Sequence, residues 1–236
     1  HFGIGADGVI TISPSSVADF KMRIFNADGS EAMMCGNGIR CVGKYVFDKG
    51  YTDKKQLTIE TLGGKKYLTL QTVGGKVRTV TVNMGQCTVE SPVTLNTSYG
   101  AVTLTPVSVG NPHAVSFVPD AQQAPLDTAG RELEKHPCFP GGVNLEFVQV
   151  IDRAKLRMRV WERGSGITMA CGTGSCAAVA AAIEAGFCDR NVETAVLLDG
   201  GTLSIRVLED NTVMMTGPAE TICECEVDDN AVKCQL

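Results

Sequence analysis

Two segments of this chain repeat one another without a gap. Met22-Arg23-Ile24-Phe25-Asn26 is followed nine residues on by Cys35-Gly36-Asn37-Gly38, and Met158-Arg159-Val160-Trp161-Glu162 is followed nine residues on by Cys171-Gly172-Thr173-Gly174. Each residue of the first copy meets its counterpart 136 positions later, as Cys35 meets Cys171, and a further methionine recurs with them (Met33, Met169). Gly8 and Asn144 each stand 27 residues ahead of their cysteine, so the repeat reaches well upstream. A chain written this way is expected to fold as two similar halves, each presenting one cysteine at the same structural place.

Each copy also has a readable local shape. Arg-Ile-Phe and Arg-Val-Trp are strand-like, Asp28-Gly29-Ser30 and Gly164-Ser165-Gly166 are turns, and an amphipathic or alanine-rich run follows each cysteine. The cysteine therefore sits where a helix begins. Unpaired backbone N–H groups and the positive end of the helix dipole there favour a thiolate and a nearby carboxylate. An ordinary buried thiol would also suit a helical position, but the duplication and the glycines after each cysteine point to shared chemistry.

Two equivalent sulfurs suit a reaction that is nearly symmetric about one carbon. Inversion of a stereocentre is such a reaction: one base removes a proton from one face, an acid delivers one to the other, and the roles exchange in reverse. Backbone amides beside the glycines can close on a substrate carboxylate whose charge grows as the α-proton leaves.

The residues carrying these features closely resemble the diaminopimelate epimerase family. The match rests on Asn26-Ala27-Asp28-Gly29-Ser30-Glu31, Cys35-Gly36-Asn37-Gly38-Ile39-Arg40-Cys41 and Ala170-Cys171-Gly172-Thr173-Gly174-Ser175-Cys176. It runs from His1-Phe2-Gly3-Ile4-Gly5-Ala6-Asp7-Gly8 through Asn111-Pro112-His113 to Gly217-Pro218-Ala219. The resemblance implies an α+β fold of two pseudo-symmetric halves, each a mostly antiparallel β-barrel around a central α-helix, with the active site in the cleft between them. Residues 1–92 would form the first half and 93–217 the second, with 218–236 returning to complete the first. Family members usually carry an opening hairpin, with an Asn that helps hold substrate, before the point matching His1. Either the sequence is truncated at this point, or the missing strands are expected to leave an open edge in the first half, an aggregation risk.

What the resemblance implies about activity is equally specific. It implies cofactor-independent interconversion of LL- and meso-diaminopimelate, a step toward lysine and peptidoglycan, by a cytoplasmic homodimer. Cys35 and Cys171 would alternate as base and acid, Cys35 being the donor and Cys171 the acceptor in the family's usual labelling. His113 and Glu162 would hold the reacting amino group or tune a thiol. Asn26, Asn111, Asn144 and Arg163 would grip the substrate, with Arg163 forming a bidentate fork on the distal carboxylate. The amides of Gly36, Asn37, Gly172 and Thr173 would receive the α-carboxylate. Taken singly, several of these have plainer readings. Asn26 and Glu162 could be turn residues, Arg163 half of a surface ion pair, and Asn111 an ordinary Asn before Pro.

Composition adds exclusions. A net charge of -5 without a basic run gives no support for nucleic-acid binding, and no apolar run reaches membrane-spanning length. Ten cysteines in 236 residues with 44% hydrophobic content point to a reduced cytoplasm and away from a stapled secreted scaffold. A bridge between Cys35 and Cys171 would be an oxidised, inactive form. Cys41 and Cys176, inside the two helices, read as core. A zinc site from Cys35, Cys41, Cys171 and Cys176 is disfavoured because structural ligands usually come two to four residues apart. The nearest rival is a proline or hydroxyproline racemase, which usually carries His where Asn37 stands and needs no Arg163.

The remaining elements follow from periodicity. Gly8–Ser13, 19–25, 57–61, 66–72, 76–83, 196–198, 202–208 and 213–216 read as strands, as do stretches within 93–109 and from 141 to about 150. Helices are expected at 38–48, 126–135 and 175–185, and a last strand at 222–227.

Overall fold

The structure is a computed structural model, and it describes residues 8–224 and residue 226. The motif over residues 1–7 and the end of the expected last strand lie outside the described residues. The first half runs β1 (Gly8–Ser13), β2 (Phe20–Asn26), β3 (Glu31–Ala32), α1 (Gly36–Asp48), β4 (Gln56–Thr61), β5 (Gly64–Val73) and β6 (Lys76–Gln86). β7 (Thr88–Val89) follows, and past residue 92 the chain runs β8 (Val93–Thr97), β9 (Gly100–Ser108), β10 (Pro112–Phe117) and α2 (Leu126–Leu133). It continues with β11 (Asn144–Asp152), β12 (Lys155–Glu162), β13 (Gly166–Thr168), α3 (Gly172–Glu184), β14 (Thr194–Leu198), β15 (Gly201–Val207) and β16 (Thr212–Pro218).

The repeat survives as geometry. α1 and α3 have the same length and start and stop 136 residues apart. Their ends match as well: Gly50 and Gly186 both take positive φ, their N–H groups donate to Phe47 and Ile183, and Tyr51 and Phe187 donate to Val46 and Ala182. That pairing closes a helix on a left-handed residue, which glycine adopts without strain.

One hydrogen-bonded path links the strands in the order β1-β2-β4-β5-β6-β16-β15-β14-β12-β11-β10-β9-β7. The halves join where β6 pairs antiparallel with β16, from Gln86 against Thr212 to Thr79 against Pro218. Both strands alternate, with Val77, Val80, Val82 and Met84 on one and Val213 and Met215 on the other pointing into a shared core.

α3 is enclosed. Its run Cys176-Ala177-Ala178-Val179-Ala180-Ala181-Ala182 is buried throughout, and it touches β9, β10, β11, β12, β14, β15 and β16. Small side chains allow the strands to close on it. α1 is amphipathic instead, with Ile39, Val42 and Val46 inward and Cys41 and Tyr45 exposed beside a groove of about 760 Å³ that also reaches Ile10, Ile12 and Phe20. Cys41 is thus a surface residue, contrary to the expectation of core packing. Its counterpart in α3 is Ala177, whereas the fully buried Cys176 corresponds to Arg40.

β11 and β12 are covered on both faces. Val148, Met158 and Val160 belong to the core around α3, while Leu145, Phe147 and Trp161 pack with Leu126, Ala129 and Leu133 of α2. Among the described residues no helix is long and apolar enough to cross a membrane.

The expected strand from Ile222 does not form at 222–224. Pro218 closes β16 with a residue that has no N–H to continue the ladder, and Ile222 is 91% exposed. The segment still leans on the first half, through the Lys49–Glu224 ion pair at 2.5 Å and the Arg40 Nε–H donated to the Pro218 carbonyl at 3.2 Å.

Candidate functional site

Both helices begin earlier than their composition suggests, at Gly36 and Gly172, because a sulfur does the capping. Cys35 Sγ accepts the Gly38 N–H at 3.4 Å and Cys171 Sγ the Gly174 N–H at 3.3 Å, from extended backbone at each cysteine. The cysteine carbonyls take the next N–H, from Ile39 and Ser175. Of the N–H groups a helix start leaves over, those of Gly36, Asn37, Gly172 and Thr173 remain.

The two helix starts meet. A Cβ on Gly172 would lie 3.8 Å from the Gly36 Cα, and Met215 fills the gap beneath both. Its Cε would stand 3.0 Å from a Cβ on Gly36, and its Sδ 3.0 Å from a Cβ on Gly172. Neither glycine can carry a side chain unless Met215 moves. Cys35 is half-buried and Cys171 buried.

Burial first, then the Glu162 and Glu146 carboxylates, push the Cys171 thiol far above its ordinary range. Burial does the same to Cys176, with Cys171 and Cys87 adding to it. Each raised thiol keeps its proton in the folded chain while its unfolded form ionises near 9.0. These groups therefore contribute stability that is present below pH 9 and lost as pH rises further, by up to about 1.4 kcal/mol per pH unit for each thiol. Cys176→Ala removes one such group, so its stability to urea is expected to fall less steeply than that of the parent between about pH 8 and about pH 10. Equal slopes would show that Cys176 ionises freely in the fold.

The other expected site residues are gathered around the second helix start, with roles that differ in detail. His113 pairs with Glu146, at 2.6 Å between Nδ1 and Oε1, and not with Glu162. Its Nε2 faces Asn111 Oδ1 at 3.1 Å, and Asn111 Nδ2 donates to Thr173 Oγ1 at 3.4 Å. Glu162 accepts from Thr168 at 2.5 Å. Asn144 spends its side chain on backbone, accepting the Arg163 N–H at 2.9 Å and donating to the Pro112 carbonyl at 3.0 Å. These bonds set the position of Arg163 and leave one Nδ2 hydrogen and one Oδ1 lone pair of Asn144 over. The exposed Arg163 rests on Gly142 and donates to the Gly141 carbonyl at 2.7 Å.

In the first half, Asn26 Nδ2 donates to Ser30 Oγ at 3.0 Å, so it serves its turn in this structure. Asn37 Oδ1 accepts from Arg40, whose guanidinium also donates to the Gly36 and Pro218 carbonyls. Arg40 is 6% exposed; it stands in the matched motif without an expected role, and Glu146, Met215 and Thr168 had none either. The one available signal was a lone acidic residue in the apolar run Leu145-Glu146-Phe147-Val148, since a charge buried in a strand needs a partner. Among the described residues, no three His, Cys, Asp or Glu side chains gather as metal ligands.

The family described as diaminopimelate epimerase matches residues 1–90 and 105–222. The diaminopimelate epimerase of Acetivibrio thermocellus is 49% identical, covering 98% of this chain and 86% of its own. That of Phocaeicola vulgatus is 50% identical, covering 97% and 85%. Among solved structures, a probable proline racemase from Agrobacterium radiobacter superposes with a TM-score of 0.72 over 94% of this chain and 76% of its own. At 20% identity that likeness is one of fold, and it agrees with a sheet-dominated α+β architecture.

Proposed function

The chain belongs to the diaminopimelate epimerase family and is an amino-acid epimerase; from that premise we propose that Cys35 and Cys171 invert one α-carbon of diaminopimelate between them. The observation that supports this is the meeting of two helix starts, each capped by a cysteine sulfur, over Met215.

A substrate seated there has its α-carboxylate against the amides of Gly36, Asn37, Gly172 and Thr173. One sulfur, as thiolate, takes the α-proton from its face and becomes a thiol. The carbon's electron pair spreads into the carboxylate, where the four donors and two helix dipoles oppose the added charge. The other sulfur, as thiol, gives its proton to the opposite face and becomes the thiolate, so that no proton or electron is left over. The buried, strongly protonated Cys171 suits the acid role in one direction, and the roles exchange in the other. Closure around the substrate would exclude water from a weakly acidic centre.

Glu162, beside Cys171 and held by Thr168, faces the substrate ammonium in this reading, with His113 and Asn111 alongside. Asn26 leaves Ser30 to reach the substrate. Arg163, set by Asn144, takes the distal carboxylate, the group that separates this substrate from proline. Residues 1–92 and 93–217 act as the two halves, and the Lys49–Glu224 ion pair supports the return of 218–224 to the first. The chain would serve lysine and peptidoglycan precursor synthesis as a cytoplasmic homodimer.

Incubation with LL-diaminopimelate in deuterium oxide is expected to yield the meso isomer with deuterium at the inverted α-carbon, while L-proline stays unlabelled. Label in proline, or none in either, overturns the proposal.

A further inference from the structure

Glu146, the buried partner of His113 behind Cys171, has no part in the inversion described above. Glu146 and His113 are 0% and 1% exposed, and their 2.6 Å contact is the only one the carboxylate makes: Oε2 is buried without a partner. An unpartnered buried oxygen costs stability, and what the carboxylate holds among the described residues is the His113 ring.

We propose that Glu146 is a positioning residue that, through His113, Asn111 and Thr173, aligns a one-way chain of hydrogen-bond donors on Cys171 Sγ and so sets how readily that sulfur exchanges its proton. The proposal rests on the reading of Cys171 as one of two bases.

The direction of the chain follows from what each atom can do. Asn111 Oδ1 can only accept, so His113 Nε2 carries a hydrogen. With Nε2–H fixed, the Glu146–Nδ1 contact holds one more proton, on the oxygen or on the nitrogen. Asn111 is thereby turned with its NH2 toward Thr173 Oγ1. That hydroxyl lies 3.5 Å from Cys171 Sγ, and once the sulfur is a thiolate, which can only accept, the hydroxyl donates to it. Together with the Gly174 N–H, Cys171 receives two donors. Cys35 has the Gly38 N–H, and the residue matching Thr173 is Asn37, whose side chain is spent on Arg40. The residue matching Glu146 is Ile10. The device therefore belongs to one half alone.

Its effect opposes the surroundings. Cys171 is faced by Glu146 from β11, Glu162 from β12 and Cys176 within α3, with Arg40 of α1 beyond Cys176, while His113 of β10 contacts Glu146 and Asn111. Burial and the carboxylates favour the thiol; the donor chain favours the thiolate. Losing the chain moves the ionisation of Cys171 upward and leaves that of Cys35 in place.

Glu146→Leu removes the partner of Nδ1 and frees the ring to turn or change tautomer. Glu146→Gln can donate its amide to Nδ1 and keeps Nε2–H where it is. Thr173→Val deletes the last link with little change of shape. The probe is iodoacetamide, with alkylation of Cys171 and Cys35 followed separately across pH by peptide mass spectrometry, beside kcat and KM. In Thr173→Val, alkylation of Cys171 near pH 8 is expected to slow about tenfold relative to the parent, and in Glu146→Leu about tenfold relative to Glu146→Gln, which loses the same carboxylate charge that favours the thiol, a shift of about one pH unit. The profile of Cys35 should not move, and kcat should fall with KM little changed. Glu146→Gln, which loses that charge but keeps the chain, should react no more slowly than the parent, and the Leu/Val double variant should be no slower than Thr173→Val, because one chain is cut twice. The proposal is overturned if Thr173→Val leaves Cys171 unshifted, if Cys35 shifts equally, or if Gln behaves as Leu. Alkylation needs no turnover, so a Cys171-specific shift in a protein that moves no label into diaminopimelate would refute the two-base reading and leave the chain standing.

Discussion

Cys35→Ala and Cys171→Ala are each expected to lower kcat/KM for diaminopimelate inversion by about 10⁴-fold, the upper range for loss of a positioned acid or base. The effect is large because each sulfur is required in both directions, as base in one and as acid in the other. The two variants should still differ from an unfolded protein. The surviving sulfur can take the α-proton from the isomer that faces it and return a solvent hydrogen to the same side. Deuterium is therefore expected to enter one isomer with retention in Cys35→Ala and the other in Cys171→Ala, measured by mass spectrometry after chiral separation. Inversion within tenfold of the parent in both variants would remove the cysteines from the mechanism. Cys176→Ala, which empties a small volume inside α3, should keep turnover close to the parent's.

The largest effect on folding is expected at Trp161. Its ring is 7% exposed between α2 and β12, its indole N–H donates to Glu134 at 2.8 Å, and the Arg131 guanidinium lies 5.5 Å from the ring centre. Trp161→Ala should cost about 3–5 kcal/mol, which for a chain of this size lowers the melting temperature by about 10 °C. Gly130 supplies a sign test. A Cβ there would fall 2.2 Å from the ring, so Gly130→Ala in the parent should destabilise by about 1–3 kcal/mol despite its gain of about 1 kcal/mol in helix propensity. In the Trp161→Ala background the obstruction is gone and the same change should stabilise. A Gly130→Ala effect of one sign in both backgrounds would mean that α2 does not rest on the indole.

Much of this was legible in the sequence because the duplication is exact in spacing. β1 falls at Gly8–Ser13 as its alternation predicts, and both cysteines cap helices. The helix starts were placed two or three residues late because Gly36 and Gly172 read as turn residues, whereas a sulfur in the capping place extends the helix over them. The partner of His113 was illegible for a different reason. It lies across the parallel pairing of β10 with β11, where His113 stands opposite Asn144, and no local pattern announces a register between strands so far apart in sequence. Cys41 was misplaced because being inside a helix does not say which face is covered; α1 is covered on one side and α3 all round.

Met215 touches both copies of the repeat while belonging to neither helix. Loops in one half can drift without regard to the other, but Gly36 and Gly172, the residues that follow the two sulfurs, both rest on the Met215 thioether. Inheritance of the two copies is therefore tied at this point: a change of bulk there shifts both partners of the reaction together, and no compensating change confined to one half can restore the other.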